Sequence, residues 1–469
     1  MSGLLLVALS LFYFALSVLT TCHILLHKND VKSAIGWIGL VWLSPVIGAL
    51  LYMTFGINTI ARKAQNLHGV HLLDERAVRQ ISPDKLTRFD EELLRFLYLG
   101  YKIYPQAFSF QNDITPLLNG DEAYPVMCAH IAAARREVLL SSYIFNNDTA
   151  GELFLNALAQ AARNGAKVKV LVDGVGVRYS WPNILKSLTR IKGIETASFL
   201  PSRAPIQLPF LNLRNHKKLL VVDGKTAFMG GMNIAAGNLL KTHPKKPIAD
   251  VTFQIKGPLI KQISDLFADD WHFATGKKFT PVTVSVHAKG TTAARVITSG
   301  PDHTENKMEL MLISLIASAK KRLVIVTPYF LPDRNILDIL GLAAMSGVII
   351  DLIIPHKSNI FGMDWAMASH FDFLLKKGIR IYQSWAPFDH SKLFLIDDSW
   401  ALIGSSNWDV RSLRLNFESN IECIGADLVH RLEQIVQKKK RKARRLQKRD
   451  IPVWQKLRNN LFRLLTPYY

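Results

Sequence analysis

Cysteine is nearly absent: the 469-residue chain carries three, Cys22, Cys128 and Cys423, far apart and without a CxxC spacing. That supports neither a disulfide framework nor a zinc site, and the three read as reduced thiols, buried or facing lipid. Acidic residues are also in deficit, 37 Asp and Glu against 58 Lys and Arg, for a formal net charge of +21. An excess of that size points to a polyanionic partner, either a nucleic acid or an anionic bilayer, and charge alone does not choose between them. Apolar residues make up 49% of the chain, too many for a disordered polymer. The length exceeds one ordinary core, so two or three structural units are expected.

Charge is missing again at the start. Residues 3–26 carry none, over about the 20 positions that a spanning helix needs. Residues 34–55 form a second apolar stretch after a loop containing Lys28, Asp30 and Lys32. A cleaved signal peptide would show a basic start and a small-residue cleavage site, and neither is present. The sequence therefore predicts a transmembrane helical hairpin over 1–56, with Pro45 tolerated because neighbouring groups in lipid re-satisfy the freed carbonyl. Arg62 and Lys63 balance Lys28 and Lys32, and Arg76 and Arg79 tip the positive-inside count toward a cytoplasmic body.

After a connector over 57–105, helical around 91–101, the chain contains itself twice. Residues 137–145 read like 322–330, and 165–173 like 347–355; both pairs are β-branched runs suited to a sheet covered on both faces. The third pair is His216-Lys-Lys-Leu-Leu-Val-Val-Asp223 against His390-Ser-Lys-Leu-Phe-Leu-Ile-Asp397. Each is followed by a strand and a small-residue turn ending in Asn233 or Asn407. Alternating strands and helices argue for an α/β class, and two copies of one unit bring equivalent residues together at their interface, where ligand sites form readily.

Residues 438–449 hold nine Lys or Arg and no acid. Beyond Pro452, Val453, Trp454, Leu457, Leu461, Leu464 and Leu465 share one helical face, with Lys456, Asn459 and Arg463 opposite. The pattern predicts a tail from 436 to 469 that adsorbs to an anionic leaflet, with docking of the helix on the protein's own core as the alternative.

Strand residues two apart share a face, so His216 projects with Lys218 and His390 with Lys392. Two imidazoles and two ammonium groups meeting across a pseudo-dyad suit phosphoryl transfer. One histidine can attack phosphorus while the other protonates the leaving alcohol. The lysines, with the amides of Asn233 and Asn407, can stabilise charge on the non-bridging oxygens. No metal and no cofactor is required by that set, and the carboxylate-rich shell of a two-metal phosphatase is missing. Asp223 and Asp397, five residues beyond each lysine, fall near the far end of their strands, where a hydrogen bond supporting the fold suits them better than contact with phosphate.

The paired motifs resemble the H-x-K-x4-D signatures of the phospholipase D superfamily, and further stretches resemble its bacterial cardiolipin synthases. These include Pro45, Gly48, Tyr52 and Gly56, residues 299–302, 327–330 and 411–418, and 463–467. The resemblance spans essentially the whole chain. It implies two pseudo-symmetric phospholipase D-like halves, over 106–285 and 286–435, with buried sheets flanked by helices. It assigns His216, Lys218 and Asp223 with His390, Lys392 and Asp397 as the catalytic signature, His216 being the nucleophile and His390 the acid/base. It also implies a carboxylate well downstream that orients each histidine, and Asp250 and Glu418 sit at fitting positions.

The function implied is transfer of a phosphatidyl group from one phosphatidylglycerol to another, giving cardiolipin and glycerol, by a body on the cytoplasmic face of the bacterial inner membrane. An unusual segment, 359–370, and a basic loop, 241–246, are placed to alter acceptor choice. The alternatives are hydrolysis as a phospholipase D, or transfer to another alcohol. A nuclease, which the basic charge would also suit, is disfavoured by the apolar N-terminal stretches, so no nucleic acid is expected as a partner. A scaffold with a degenerate site is disfavoured by two intact motifs. On oligomeric state the sequence is silent.

Overall fold

The repeated apolar runs become the inner strands of one continuous sheet. The computed structural model describes residues 2–28, 31–56, 100–201, 213–284, 288, 290–300, 306–448, 450–464 and 466. The first half contributes β1 (Ser109–Leu118), β2 (Glu137–Ser142), β3 (Lys167–Asp173), β4 (Ile194–Phe199), β5 (Leu219–Val222), β6 (Thr226–Gly230) and β7 (Val251–Lys256). The second contributes β8 (Thr292–Ser299), β9 (Arg322–Val326), β10 (Ile349–Pro355), β11 (Arg380–Ser384), β12 (Leu393–Ile396), β13 (Trp400–Gly404), β14 (Glu418–Ile424) and β15 (Ala443–Arg445).

Across the 15-stranded sheet the order is β4-β3-β2-β5-β6-β7-β1-β8-β14-β13-β12-β9-β10-β11-β15. Outward from the β1–β8 seam both halves run through the same series, antiparallel strands first and then a parallel trio. The sequence repeat is thus a pseudo-two-fold axis at the seam, where Ser109 pairs with Ala294 and Asn112 with Thr292.

Each half has its own core on one face. α4 (Asn119–Ala132) and α5 (Thr149–Arg163) cover the first, with Phe154 and Leu158 against Val138 and Val170. α7 (Lys307–Ser318), α8 (Arg334–Met345) and α9 (Met363–Lys376) cover the second. On the other face a single core runs through both halves. There α6 (Leu259–Thr275) and α10 (Ala426–Arg441) bring Phe267, Trp271, Leu428 and Leu432 onto Ile114, Leu139, Val324 and Ile421. Burial of apolar area common to both halves makes them one body.

At the N-terminus, α1 spans Ser2–His27. Among the described residues one helix, Gly3–His27, is long and apolar enough to cross a membrane. It exposes Leu4, Leu5, Phe12 and Leu19, as a lipid-facing helix does. The second apolar stretch departs from the single span expected over 34–55. It divides at Ser44 into α2 (Val31–Leu43) and α3 (Pro45–Leu51), because a proline lacks the N–H and its ring meets the carbonyl four residues back. With 13 residues α2 is about 20 Å long, short of the roughly 30 Å hydrocarbon core. α3 folds back so closely that a Cβ on Gly48 would come within 2.6 Å of the Leu40 carbonyl oxygen. Trp42 Nε1 donates to Thr21 Oγ1 at 3.1 Å, and His23 Nδ1 lies 2.9 Å from the Tyr52 hydroxyl, tying both pieces to α1.

The tail expected from 436 needs correction. Leu432, Ile435 and Val436 of α10 sit in the shared core. Lys439 and Lys440 pair with Asp389 and Asp351, each at 2.7 Å, and β15 adds an edge strand to β11. Composition hid a helical period that buries one face of a basic run. α11 (Val453–Arg463) then packs on α9, with Phe462 4.7 Å from Trp365 and the Arg458 guanidinium 4.6 Å above the same ring. Its Val453, Trp454, Leu457, Leu461 and Leu464 stay exposed. Asp30, Arg62, Lys63, Arg76, Arg79, Pro301, Asp302 and Leu465, and the connector before residue 100, lie outside the described residues.

Candidate active site

The chain enters each motif in extended form, and alternation sorts its side chains. Lys217 points away from His216 and Lys218 and pairs with buried Asp270 at 2.6 Å. Ser391 likewise turns back to Asp389, to which its Oγ donates at 2.7 Å. The remaining side carries His216, Lys218, His390 and Lys392, all buried, and the two imidazole centroids lie 6.5 Å apart.

What holds each histidine comes from the opposite half. The His216 N–H donates to the Phe417 carbonyl at 2.9 Å, and the His390 N–H to the Ala249 carbonyl at 2.7 Å. These contacts bring the next residues alongside: His216 Nδ1 is 3.0 Å from Glu418 Oε2, and His390 Nδ1 is 2.7 Å from Asp250 Oδ2. Chain order pairs Asp250 with His216 and Glu418 with His390; the structure exchanges them, because backbone pairing between the halves decides the neighbour. Glu418 also accepts from Ser405 Oγ at 2.6 Å and from Ser412 Oγ at 2.5 Å. Burial pushes its carboxyl up, but His216, Lys218 and Ser405 outweigh that and hold it below the ordinary range. An ionised carboxylate only accepts, so His216 Nδ1 carries the proton and Nε2 is left for chemistry.

Two stretches, 127–271 and 312–440, match the family model described as cardiolipin synthase, PLD-like domain, and residues 15–56 match that of the phospholipase D-nuclease N-terminal region. The chain belongs to the PLD-like cardiolipin synthase family. It is 32% identical over 421 residues to a cardiolipin synthase of Alkalihalophilus pseudofirmus, covering 87% of this chain and 82% of that one. It is 30% identical over 484 aligned positions to the major cardiolipin synthase of Bacillus subtilis, covering 98% of each. Among solved structures, the phosphatidylserine synthase of Haemophilus influenzae superposes with a TM-score of 0.60 at 13% identity, over 79% of this chain and 97% of that one, a likeness of fold.

In this member of the cardiolipin synthase family, burial pushes the His216 pKa down to about 4 against the upward pull of Glu418. Burial and then Lys392 bring His390 to about 4 against the pull of Asp250. Burial also lowers Lys392 to about 8 and carries Lys218 well below the ordinary lysine value. Each ammonium donates to the carbonyl of its own histidine. Gly231 packs closely beside them: a Cβ there would come within 2.9 Å of Lys392 Cδ and 3.1 Å of Asp250 Oδ1.

A cavity of about 450 Å³ opens above the histidines, with Asn233 and Asn407 in its wall. Asn233 Oδ1 accepts from the Ile144 N–H at 3.1 Å, which leaves its amide group as a donor. The motif aspartates are not in that wall. Asp223 and Asp397 sit at φ 53° and 51°, a left-handed conformation that Asp tolerates. Asp223 accepts from the N–H groups of Arg135, Arg136 and Glu137, and Asp397 from those of Lys320, Lys321 and Arg322. They brace the strand entries beneath the site rather than joining the catalytic group in which the motif places them.

Several wall residues escaped the sequence reading. Tyr143 packs on His216 at 5.0 Å and Tyr329 on His390 at 6.4 Å between centroids. They stand one position apart in the repeat, Tyr143 opposite Pro328 and Tyr329 opposite Ile144, so aligning the halves does not pair them. Arg214 shares the alternation face of His216, and Arg411 and Asp409 follow Asn407. Burial raises the Asp409 pKa to about 6. The unusual segment after 359 does reach the cavity: the Tyr329 hydroxyl donates to Asn359 Oδ1 at 2.6 Å. Lys246 of the basic loop lies at the rim. Among the described residues, no group of three or more His, Cys, Asp or Glu is placed to hold a metal ion.

Proposed function

We propose that this chain is a phosphatidyltransferase that moves a phosphatidyl group from one phosphatidylglycerol to the hydroxyl of a second, giving cardiolipin and glycerol. The observation that carries this reading is the pair of buried imidazoles 6.5 Å apart at one cavity, each with Nδ1 held by a carboxylate of the other half. His216 Nε2 attacks phosphorus, the bond from phosphorus to the headgroup oxygen breaks, and that oxygen leaves as glycerol with a proton from His390. His390 then takes the proton of the acceptor hydroxyl, the new oxygen–phosphorus bond forms, and the phosphorus–nitrogen bond breaks to free His216. The anionic diester, arriving between the rings, favours on His390 the proton that burial alone withholds, while His216 stays neutral with Nε2 free to attack. Lys218, Lys392, Asn233 and Asn407 meet the charge that builds on the non-bridging oxygens.

The same reading puts α1 across the bacterial inner membrane with α2 and α3 as a second apolar insertion, so that 1–56 is the membrane unit and 57–105 the connector. The halves lie on the cytoplasmic side, against anionic lipid. The exposed apolar faces of α1 and α11 and the net charge of +21 support it. Purified protein incubated with phosphatidylglycerol alone tests the activity, with lipids identified by mass spectrometry. Cardiolipin and glycerol in equal amounts, unchanged by excess chelator, are expected. Phosphatidic acid as the main product would make the chain a phospholipase D, and activity restored only by added metal would remove the metal-independent mechanism.

A further inference from the structure

The pseudo-two-fold pairs part of the cavity wall: His216 with His390 and Asn233 with Asn407. Among the positions that break it, two place a cation in one half only. Arg214 stands two residues before His216, where the other half has Phe388 before His390; Arg411 stands four residues beyond Asn407, where the other half has Gly237 beyond Asn233. All four line the cavity.

The breaks fall together in space and divide the cavity into two lobes. Arg214 and Arg411 line the same cavity wall as Tyr143, and the charge of Arg411 acts on both Arg214 and the tyrosine. Beside Tyr329, Phe388 pairs in register with Ile248, and a Cβ on Gly237 would meet Ile248 Cδ1 at 3.4 Å. Tyr329 and Phe388 have centroids 6.2 Å apart. The first lobe is cationic and the second largely apolar, with Lys246 exposed at the rim. Arg214 is 2% exposed and its Nη1 lies 3.6 Å from Asp173 Oδ1. That carboxylate is shared with the N–H groups of Val175, Gly176 and Asn215. Asp409, the carboxyl near Arg411, is itself pushed up by burial toward its neutral form.

We infer that Arg214 and Arg411 bind a second phosphate, the phosphodiester of the acceptor lipid, which stays intact through the reaction. The inference rests on the transferase reading. The two phosphates of cardiolipin are joined through one glycerol, so an acceptor phosphatidylglycerol brings a second anion within a glycerol's length of the reacting phosphorus. The lysines and asparagines serve the phosphate that reacts. The two arginines supply planar forks matched to phosphate oxygens, on one side of the cavity only. An acceptor lacking phosphate, water or free glycerol, gains nothing there, and this asymmetry selects a phospholipid acceptor.

Labelled glycerol and phosphatidylglycerol supplied together read both acceptors at once: label exchanged into phosphatidylglycerol, and cardiolipin formed. For Arg411→Gln the ratio of cardiolipin to exchanged glycerol is expected to fall about tenfold or more, the loss of one charge-assisted contact, through a higher KM for the lipid acceptor. Arg411→Lys should restore part of it. An unchanged ratio, or a parallel loss of both products, in variants that melt like the parent would overturn the inference. If Arg411→Gln fails to fold, the unaltered protein decides. Glycerol phosphate should compete with free glycerol as acceptor or inhibitor at concentrations about tenfold lower, and no such preference would overturn the subsite. A parent protein that exchanges glycerol but makes no cardiolipin would instead fail the transferase reading itself.

Discussion

Nδ1 of His216 lies 3.0 Å from Glu418, a residue 202 positions further on and in the other half of the molecule. The His390–Asp250 pair repeats this across the pseudo-dyad at 2.7 Å. Neither dyad can form within one half alone. The shared core beneath the sheet and the β1–β8 seam therefore position the chemistry as directly as the motifs do.

Glu418→Gln should leave the His216 tautomer unspecified and lower kcat by about 10²-fold or more, within the usual contribution of a positioned acid or base. Asp250→Asn should do the same through His390. Steady-state rates on phosphatidylglycerol check both, and a change under about twofold in either variant would show that the carboxylate does not orient its histidine.

Asp397→Ala should cost about 1–3 kcal/mol of stability, because the N–H groups of Lys320, Lys321 and Arg322 lose their acceptor at a position with φ 51°. Asp397→Asn, which keeps an acceptor and tolerates that backbone, should cost less. Thermal unfolding in detergent reads the difference, and equal melting of Asp397→Ala and the parent would contradict the bracing role.

The two imidazoles should titrate near pH 4 in the free protein. Their folded values lie below the ordinary imidazole range of about 6.5, so the fold favours the neutral rings. Their contribution to stability is present above that range and is lost as pH falls toward 4. NMR of histidine-labelled protein measures the midpoints, and a soluble phosphodiester should move them upward. Midpoints at or above the ordinary range without ligand would contradict the account.

Much of this was legible in the sequence. The repeat, the α/β class and the shared faces of His216 with Lys218 and of His390 with Lys392 follow from side-chain period alone. The exchange of Asp250 and Glu418 was not, since it depends on which backbone segment His216 and His390 pair with across the halves. Arg214 and Arg411 become visible only when the repeats are set side by side and read for mismatches. Hydropathy ran through Ser44 and Pro45 as if they continued a helix. Charge content likewise concealed the helical spacing of Leu432, Ile435, Val436 and Lys439, which builds a basic run into the body.

The outward face of α11 should bind anionic vesicles. Replacing Val453, Leu457 and Leu461 by Gln removes apolar area and leaves Phe462 and Arg458, which hold the helix on α9, in place. In protein lacking residues 1–56, flotation with phosphatidylglycerol vesicles should fall severalfold at low and high salt alike. Equal flotation by both proteins would mean that α11 does not contact the bilayer.

The central claim is covalent transfer between His216 and His390. In His390→Asn, a phosphatidyl substrate with an activated leaving group needs no proton for the first step, while the second step still lacks its base. Peptide mass spectrometry should then find the phosphatidyl adduct on His216. An adduct on His390 in His216→Asn, with none in His390→Asn, would reverse the two roles. No adduct in either variant, with alcohol exchange continuing, would contradict the covalent mechanism.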